Sequence, residues 1–318
     1  MARRPIDLSP AHLTRLAGLS GRRALVTGGS DGLGLVLAGR LAAAGAEVVL
    51  PVRDRVKGEA AAASIRERHP GAVVSLRDLD LASLDSVAAL SAALETEGAP
   101  IHLLVANAGV MTPPARRSTV DGFELQLGTN HLGHFALIGR LLPLLREGRA
   151  RVVSQVSIAA AQNAVHWDDL QWELRYRAGR AYSSSKIAQG LFGLELQRRS
   201  AAGGWGITSD LAHPGIAPTS LLAARTATGR ARDGLDVRTI RLLSRHGILV
   251  GTPETAALPA LLAATSVGAG GRMLAPSGPG HLGGAPAETP PFPRVADVAD
   301  ARRVWALSEE LTGVRFPA

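Results

Sequence analysis

Apolar and polar positions alternate along this chain at a steady beat. Seven short apolar runs read as strands: ALVTGG (24–29), EVVLPV (47–52), AVVSL (72–76), IHLLVANAG (101–109), RVVSQVS (151–157), GITSDLAHPG (206–215) and RMLAP (272–276). Helical patterns lie between them: GLVLAGRLAAAGA after the first run, then residues 55–68, about 83–97, about 122–146 and about 181–202. Continuous apolar strands separated by helices belong to a parallel sheet buried on both faces. Right-handed crossovers wind such a chain into an α/β doubly wound fold, here of about seven strands with helices on both faces. Pro51 cannot donate to a ladder, so it is expected at the end of the second strand. Two regions break the rhythm and read as surface elements. Residues 216–250 carry six arginines (Arg225, Arg230, Arg232, Arg238, Arg241 and Arg245), and residues 275–294 are rich in Gly and Pro. The first follows a strand's C-terminal end, where ligands bind in such sheets, and is a candidate substrate lid. The expected organisation is an N-terminal extension (1–20), one domain (21–318) and a C-terminal tail (295–318).

Composition narrows the function classes. The 318 residues are 46% hydrophobic with a mean hydropathy of +0.12, which suits a folded globular chain. Cysteine is absent, so disulfides and Cys-based metal sites are excluded. No run approaches the roughly 18 apolar residues of a membrane span. The basic N-terminus has no apolar core ahead of a cleavage site, so the expectation is a cytoplasmic protein without membrane attachment. The net charge of +8 is carried almost wholly by arginine and is spread along the chain, while aromatic residues make up only 3%. Stacking residues are too scarce for a nucleic-acid partner to be the expectation.

The stretch VTGGSDGLG follows the first strand and opens a helix. Gly28, Gly32 and Gly34 suit a turn whose backbone approaches a pyrophosphate, with Ser30, Asp31 and Leu33 between them. The helix N-terminus adds free N–H groups and a favourable dipole. At the end of the second strand, where a carboxylate would accept from ribose hydroxyls, the chain has Val52 followed by Arg53. A guanidinium suits a 2′-phosphate, so NADP(H) is the expected cofactor. Asp54 and Asp31 nearby leave NAD(H) as the alternative. Asp80, with Leu81 beside it, follows the third strand, either to accept from an adenine amino group or to serve as a helix N-terminal acid.

The chain has two tyrosines and two lysines, and AYSSSK holds one of each, Tyr182 and Lys186, four positions apart. That spacing puts both on one helical face. A free tyrosine titrates near 10, and an ammonium beside it favours the tyrosinate. Tyr182 is then a candidate general acid for carbonyl reduction and base for the reverse oxidation. Tyr176 lies outside the pattern and reads as a half-buried aromatic. His131 and His134 stand three apart without a third ligand in register, so packing or hydrogen bonding is expected there and no metal.

Four segments in matching order and spacing resemble the short-chain dehydrogenase/reductases. TGGSDGLG resembles the family's TGxxxGxG, ANAG (106–109) its NNAG, YSSSK its YxxxK, and HPGIAPT (213–219) its PG-x-x-x-T. The resemblance covers about residues 20–275. FELQLGTNHLGHF (123–135) and DDLQWE (168–173) are similar to the retinol-dehydrogenase-like branch. It implies a Rossmann fold and a catalytic set of Asn130, Ser157, Tyr182 and Lys186. Ser157 would hydrogen-bond the substrate oxygen, Lys186 would also hold the nicotinamide ribose, and the Asn130 amide would hold a relay water. Asn107, Ala108 and Gly109 would approach the adenosine half of the cofactor. Pro214, Gly215, Ile216 and Thr219 would approach the nicotinamide, Thr219 through its carboxamide. Gln155 departs from the pattern. Relatives form dimers or tetramers, so a homo-oligomer is a further implication.

Candidate substrate walls are residues 159–162, 163–180 and the 216–250 lid, which mix small apolar residues with Trp167, Trp172 and arginines. They suit a bulky, largely apolar carbonyl or secondary alcohol. Two other readings are a non-catalytic dinucleotide sensor and an epimerase or dehydratase of the extended relatives. The complete catalytic set argues against the first, and ANAG with a short C-terminal region argues against the second.

Overall fold

The computed structural model describes residues 18–217 and 251–317. Thr219, most of the N-terminal extension and all but the first two positions of the candidate lid lie outside these residues. The strands are β1 (Arg23–Val26), β2 (Glu47–Val52), β3 (Val74–Asp78), β4 (Leu103–Ala106), β5 (Arg151–Gln155), β6 (Thr208–Ala212), β7 (Met273–Pro276) and β8 (Pro286–Thr289). They form one sheet in the order β3-β2-β1-β4-β5-β6-β7-β8. All neighbours pair in parallel except β7 and β8, which are antiparallel. The order reverses between β1 and β4, the switch point at which doubly wound sheets bind ligands beyond the strand ends. The expected α/β doubly wound fold is therefore present, with one more strand than the sequence pattern predicts.

The longer helices are α1 (Gly32–Ala43), α2 (Arg55–Arg68), α3 (Leu84–Glu97), α4 (Gly133–Arg140), α5 (Leu142–Glu147), α6 (Ala178–Gly203), α7 (Leu258–Thr265) and α8 (Val298–Thr312). Side-chain caps start three of the early ones: Asp31 accepts from Gly32 N, Asp54 from Lys57 N and Ser83 from Ser86 N. One apolar cluster joins β1, β4 and β5 to α3, α4 and α6, while another joins the opposite sheet face to α1 and α7. Pro51 pairs with Arg77 of β3, beyond the last β1–β2 pair at Val49, so the strand end absorbs its missing donor as expected.

Two expectations are corrected. The continuous helix over 122–146 is instead a short turn (Leu125–Leu127), a π-helical turn (Gly128–Leu132), α4 and α5. The π turn widens the backbone ring, and Pro143 in the first turn of α5 has no N–H to continue a helix through Leu141. The Gly/Pro-rich segment 275–294 is not only surface loop: it supplies the end of β7 and all of β8. Glycine closes this hairpin, with Gly280 and Gly284 at φ +61° and +107° and Gly278 N bonded to Gly283 O.

The C-terminal segment packs as α8 against α6. The chain has only five phenylalanines and four tryptophans, yet Phe135, Phe192, Phe316, Trp205 and Trp305 gather here. Trp305 is 1% exposed, and its ring centroid lies 4.5 Å from Phe316 and 5.5 Å from Phe135. No helix among the described residues is long and apolar enough to cross a membrane. Emptying the centre of this cluster by Trp305→Ala should cost about 3–5 kcal/mol in urea unfolding. An unchanged midpoint would show that α8 is not part of the cooperative unit.

Candidate active site

The parallel strands β1, β4, β5 and β6 end at one edge of the sheet, and the predicted residues gather there. In the glycine turn, Gly28 has φ +67°, and a Cβ on it would stand 2.9 Å from Ala108 Cα. A Cβ on Gly34 would stand 2.1 Å from Gly28 O and 2.7 Å from Asn107 Nδ2. The first turn of α1 thus presses directly on the ANAG loop. Thr27 locks that contact: its Oγ1 accepts from Asn107 N and Ala108 N, each at 3.0 Å, while Asn107 Nδ2 donates to Thr27 O at 2.9 Å. Side-chain-free backbone at a helix N-terminus is the cradle a pyrophosphate needs, so the residues present fit a dinucleotide.

Arg53 follows β2 and is exposed, whereas the Asp54 carboxylate is engaged by Lys57 N at the start of its own helix. Asp31 caps α1 through Gly32 N at 2.7 Å. Asp80 accepts from Ala82 N at 2.9 Å, a local turn ahead of α3. Leu81 O lies 2.3 Å from where a Gly133 Cβ would be, so α4 packs hard against that turn. Gly215 has φ +74°, with Leu282 O only 2.5 Å from its Cβ position, and Ile216 N donates to Leu282 O at 2.9 Å.

Tyr182 and Lys186 lie on α6, 7% and 3% exposed, with Ser157 at the end of the β5 segment. Lys186 Nζ donates to Gln155 O and to Gln189 Oε1, both at 2.9 Å. Gln189 in turn donates to Ala106 O at 3.2 Å, joining the lysine to the end of β4. Burial drives the Lys186 pKa down to about 7. It drives the Tyr182 hydroxyl up, opposed by its interaction with the Ser157 side chain. The expectation that the ammonium lowers the tyrosine's pKa is not met in this arrangement, because desolvation of the phenolate dominates and the ammonium is turned to two carbonyl-type oxygens. Ser157 also begins a short 3-10 turn, accepting from Ala159 N at 3.3 Å.

Asn130 sits inside the π turn. Its Oδ1 accepts from Val110 N at 2.8 Å, and its Nδ2 donates to Val110 O at 3.0 Å and Ser185 Oγ at 2.9 Å. The amide is therefore used as a clasp between the ANAG loop and α6. Its backbone carbonyl accepts from His134 Nδ1 at 3.1 Å, so His134 Nε2 is the acceptor for Thr27 Oγ1 at 2.9 Å. Burial holds His134 neutral, its pKa lowered to about 4, with the nearby Lys186 charge acting in the same direction. His131, lowered by burial to about 3, instead meets Ser308 Oγ of α8 at 2.7 Å. Both histidines are thus hydrogen-bonded within the core, and no group of three metal-binding side chains occurs among the described residues.

Around the substrate side, Ser183 Oγ donates to the carbonyls of Ala159 and Gln162, tying that wall to α6. Trp172 is 3% exposed with its ring centroid 4.7 Å from that of His166, the planes tilted by 39°, while Arg303 covers Trp167 at 4.2 Å. Tyr176 bonds Gln126 Nε2 and Pro113 O rather than the tyrosine–lysine pair. Thr27 and Gln189 were not singled out in the sequence, whereas His134 makes the hydrogen bonds expected of it. Gln189 carries a signal in its spacing, three residues after Lys186 on the same helix.

Residues 22–229 match the family model described as short chain dehydrogenase, and the chain belongs to that family. It is an oxidoreductase of the alcohol–carbonyl type that works with a nicotinamide dinucleotide. More particularly, it is 37% identical to human retinol dehydrogenase 13 over 306 residues, 95% of this chain and 88% of that protein. A crystal structure of an uncharacterised protein from Mycobacterium paratuberculosis superposes with a TM-score of 0.76 at 34% identity, covering 95% of this chain and 98% of the other. The Pseudomonas aeruginosa RhlG/NADP active-site complex gives a TM-score of 0.62 at 27% identity, over 81% and 96%.

The lowered Lys186 pKa has a stability consequence. Between about pH 7 and 10.5 the unfolded chain binds the proton that the native state has released, so stability rises with pH across that window. Lys186→Met should therefore be more stable than the parent by a few kcal/mol below pH 7, at about 1.4 kcal/mol per tenfold change in proton affinity. The advantage should fade toward pH 10 in paired urea titrations. A pH-independent difference would contradict the burial argument.

Proposed function

We propose that the protein is an NADP(H)-dependent oxidoreductase that interconverts a ketone or aldehyde with an alcohol on a bulky, largely apolar substrate. The observation that carries this reading is the convergence of Tyr182, Ser157 and Lys186 at the strand edge that also holds the glycine turn. Bound there, the cofactor supplies or accepts the hydride. Tyr182 would give its phenolic proton to the carbonyl oxygen during reduction and take it back during oxidation, with Ser157 orienting that oxygen. An ammonium has three donors, and the two bonds to Gln155 O and Gln189 Oε1 leave one for ribose hydroxyls. Asn130 is assigned a positioning role through Val110 and Ser185.

Support for NADP(H) comes from Arg53, exposed at the end of β2 with no acid in the preceding position, and from the NADP complex of the similar Pseudomonas structure. The engagement of Asp54 at its own helix N-terminus removes the nearest competing carboxylate. Similarity to retinol dehydrogenase 13 supports a large apolar substrate, as do the small apolar residues at 158–161.

The test is NADPH and NADH oxidation against a carbonyl panel running from small sugars to long-chain and ring aldehydes. Turnover should favour NADPH and the apolar members. Arg53→Glu should shift the preference toward NADH by about tenfold or more. Tyr182→Phe should lose about 10²–10⁴ in kcat with cofactor affinity retained. Turnover confined to sugars would sink the substrate reading, equal use of both cofactors the NADP reading, and full activity of Tyr182→Phe the catalytic one.

A further inference from the structure

Gln155 is the last residue of β5, two before Ser157, and the resemblance to the family leaves it without a role. The residue is 5% exposed, and neither Oε1 nor Nε2 meets a hydrogen-bond partner among the described residues. Native structures bury few polar groups in this state, and each calls for a reason.

The pleat fixes which way the side chain leaves the sheet. Ser154 Oγ lies 3.1 Å from where a Gly193 Cβ would stand, so Ser154 faces α6. Val153 instead packs in the cluster that contains Leu37 and Ala38 of α1 and Leu261 of α7. Alternation puts Gln155 on the same side as Val153. That is the face on which the glycine turn opens α1. The flanking strand ends, Ala106 and Ala212, have no polar side chains to offer. The backbone carbonyl of Gln155, meanwhile, accepts from Lys186 Nζ at 2.9 Å. The amide thus stands at the ligand edge of the sheet, on the dinucleotide face, within its own residue's length of the ammonium.

Resting on the dinucleotide reading above, we propose that Gln155 binds the carboxamide of the cofactor's nicotinamide ring. A primary amide offers one acceptor and a pair of donors, and so does the ring carboxamide. Oε1 accepts from the carboxamide NH2 while Nε2 donates to its oxygen. Phosphates accept only, and they fall to the backbone N–H groups of the glycine turn. The ribose hydroxyls fall to Lys186. The reciprocal pair selects the carboxamide and fixes which way the ring is turned, in a part of the site where relatives are expected to rely on the residue corresponding to Thr219.

Calorimetry on the full chain tests this with three probes: the dinucleotide the wild type prefers, its acetylpyridine analogue (an acetyl group replaces the carboxamide), and the matching ADP-ribose fragment without the ring. The wild type should bind the parent about tenfold more tightly than the analogue. Gln155→Met should bind the two equally, leave the fragment's affinity unchanged, and melt no lower than the wild type without cofactor, since the amide makes no hydrogen bond there. Gln155→Leu repeats the comparison should the methionine pack badly. Retained preference for the carboxamide, or weakened binding of the fragment, would overturn the assignment while leaving the dinucleotide reading intact. A wild type that binds neither dinucleotide nor fragment would overturn both.

Discussion

The site depends on one desolvated charge. Lys186 is held inside the protein with its ammonium on the carbonyl of Gln155 and the side-chain oxygen of Gln189. A buried cation is costly unless it is hydrogen-bonded, and here both bonds come from elements that must be in place first. Gln155 ends β5, and Gln189 is itself bonded to the end of β4 through Ala106 O. The lysine therefore ties α6 to two neighbouring strand ends. Tyr182, one turn before it on the same helix, is set beside Ser157 by the same docking. Because the ammonium is poorly solvated, its charge is easily lost or strengthened by a polar ligand, which is the state a proton-handling site needs.

A second network carries the same edge toward the glycine turn. Val110 is clasped by the Asn130 amide, the Asn130 carbonyl receives His134, and His134 receives Thr27, whose hydroxyl gathers the N–H groups of Asn107 and Ala108. The π turn at Gly128–Leu132 sets Asn130 into this chain of contacts. The cofactor end and the proposed chemical end are thus linked by short neutral hydrogen bonds through a histidine that burial keeps uncharged. α8 closes the far side of the same layer, through Ser308 on His131 and Trp305 in the aromatic cluster.

The doubly wound fold was legible because its strands are continuous apolar runs and its glycine turn is a local backbone requirement. The Tyr182–Lys186 pair was legible because helical spacing places both side chains on one face. What the chain concealed is set by contacts distant in sequence. Gln155 meets Lys186 only once β5 docks on α6, and Gln189, on the same helix as Lys186, meets Ala106 O only once β4 is in place. The π turn depends on what Asn130 grips, and β8 depends on a glycine hairpin that reads locally as loop. The direction of the Tyr182 pKa is concealed for a related reason: spacing shows a nearby ammonium, but burial decides the balance.

The two lysines of the chain make the central charge directly observable. With 13C-labelled lysine, the side-chain methylene next to each amine gives one NMR signal, and Lys57 provides the exposed reference. The Lys186 signal, identified by its loss in Lys186→Met, should titrate near pH 7 in the protein without cofactor, as burial lowers it to about 7. A Lys186 signal that titrates above pH 10 would contradict a buried, carbonyl-held ammonium and the account built on it.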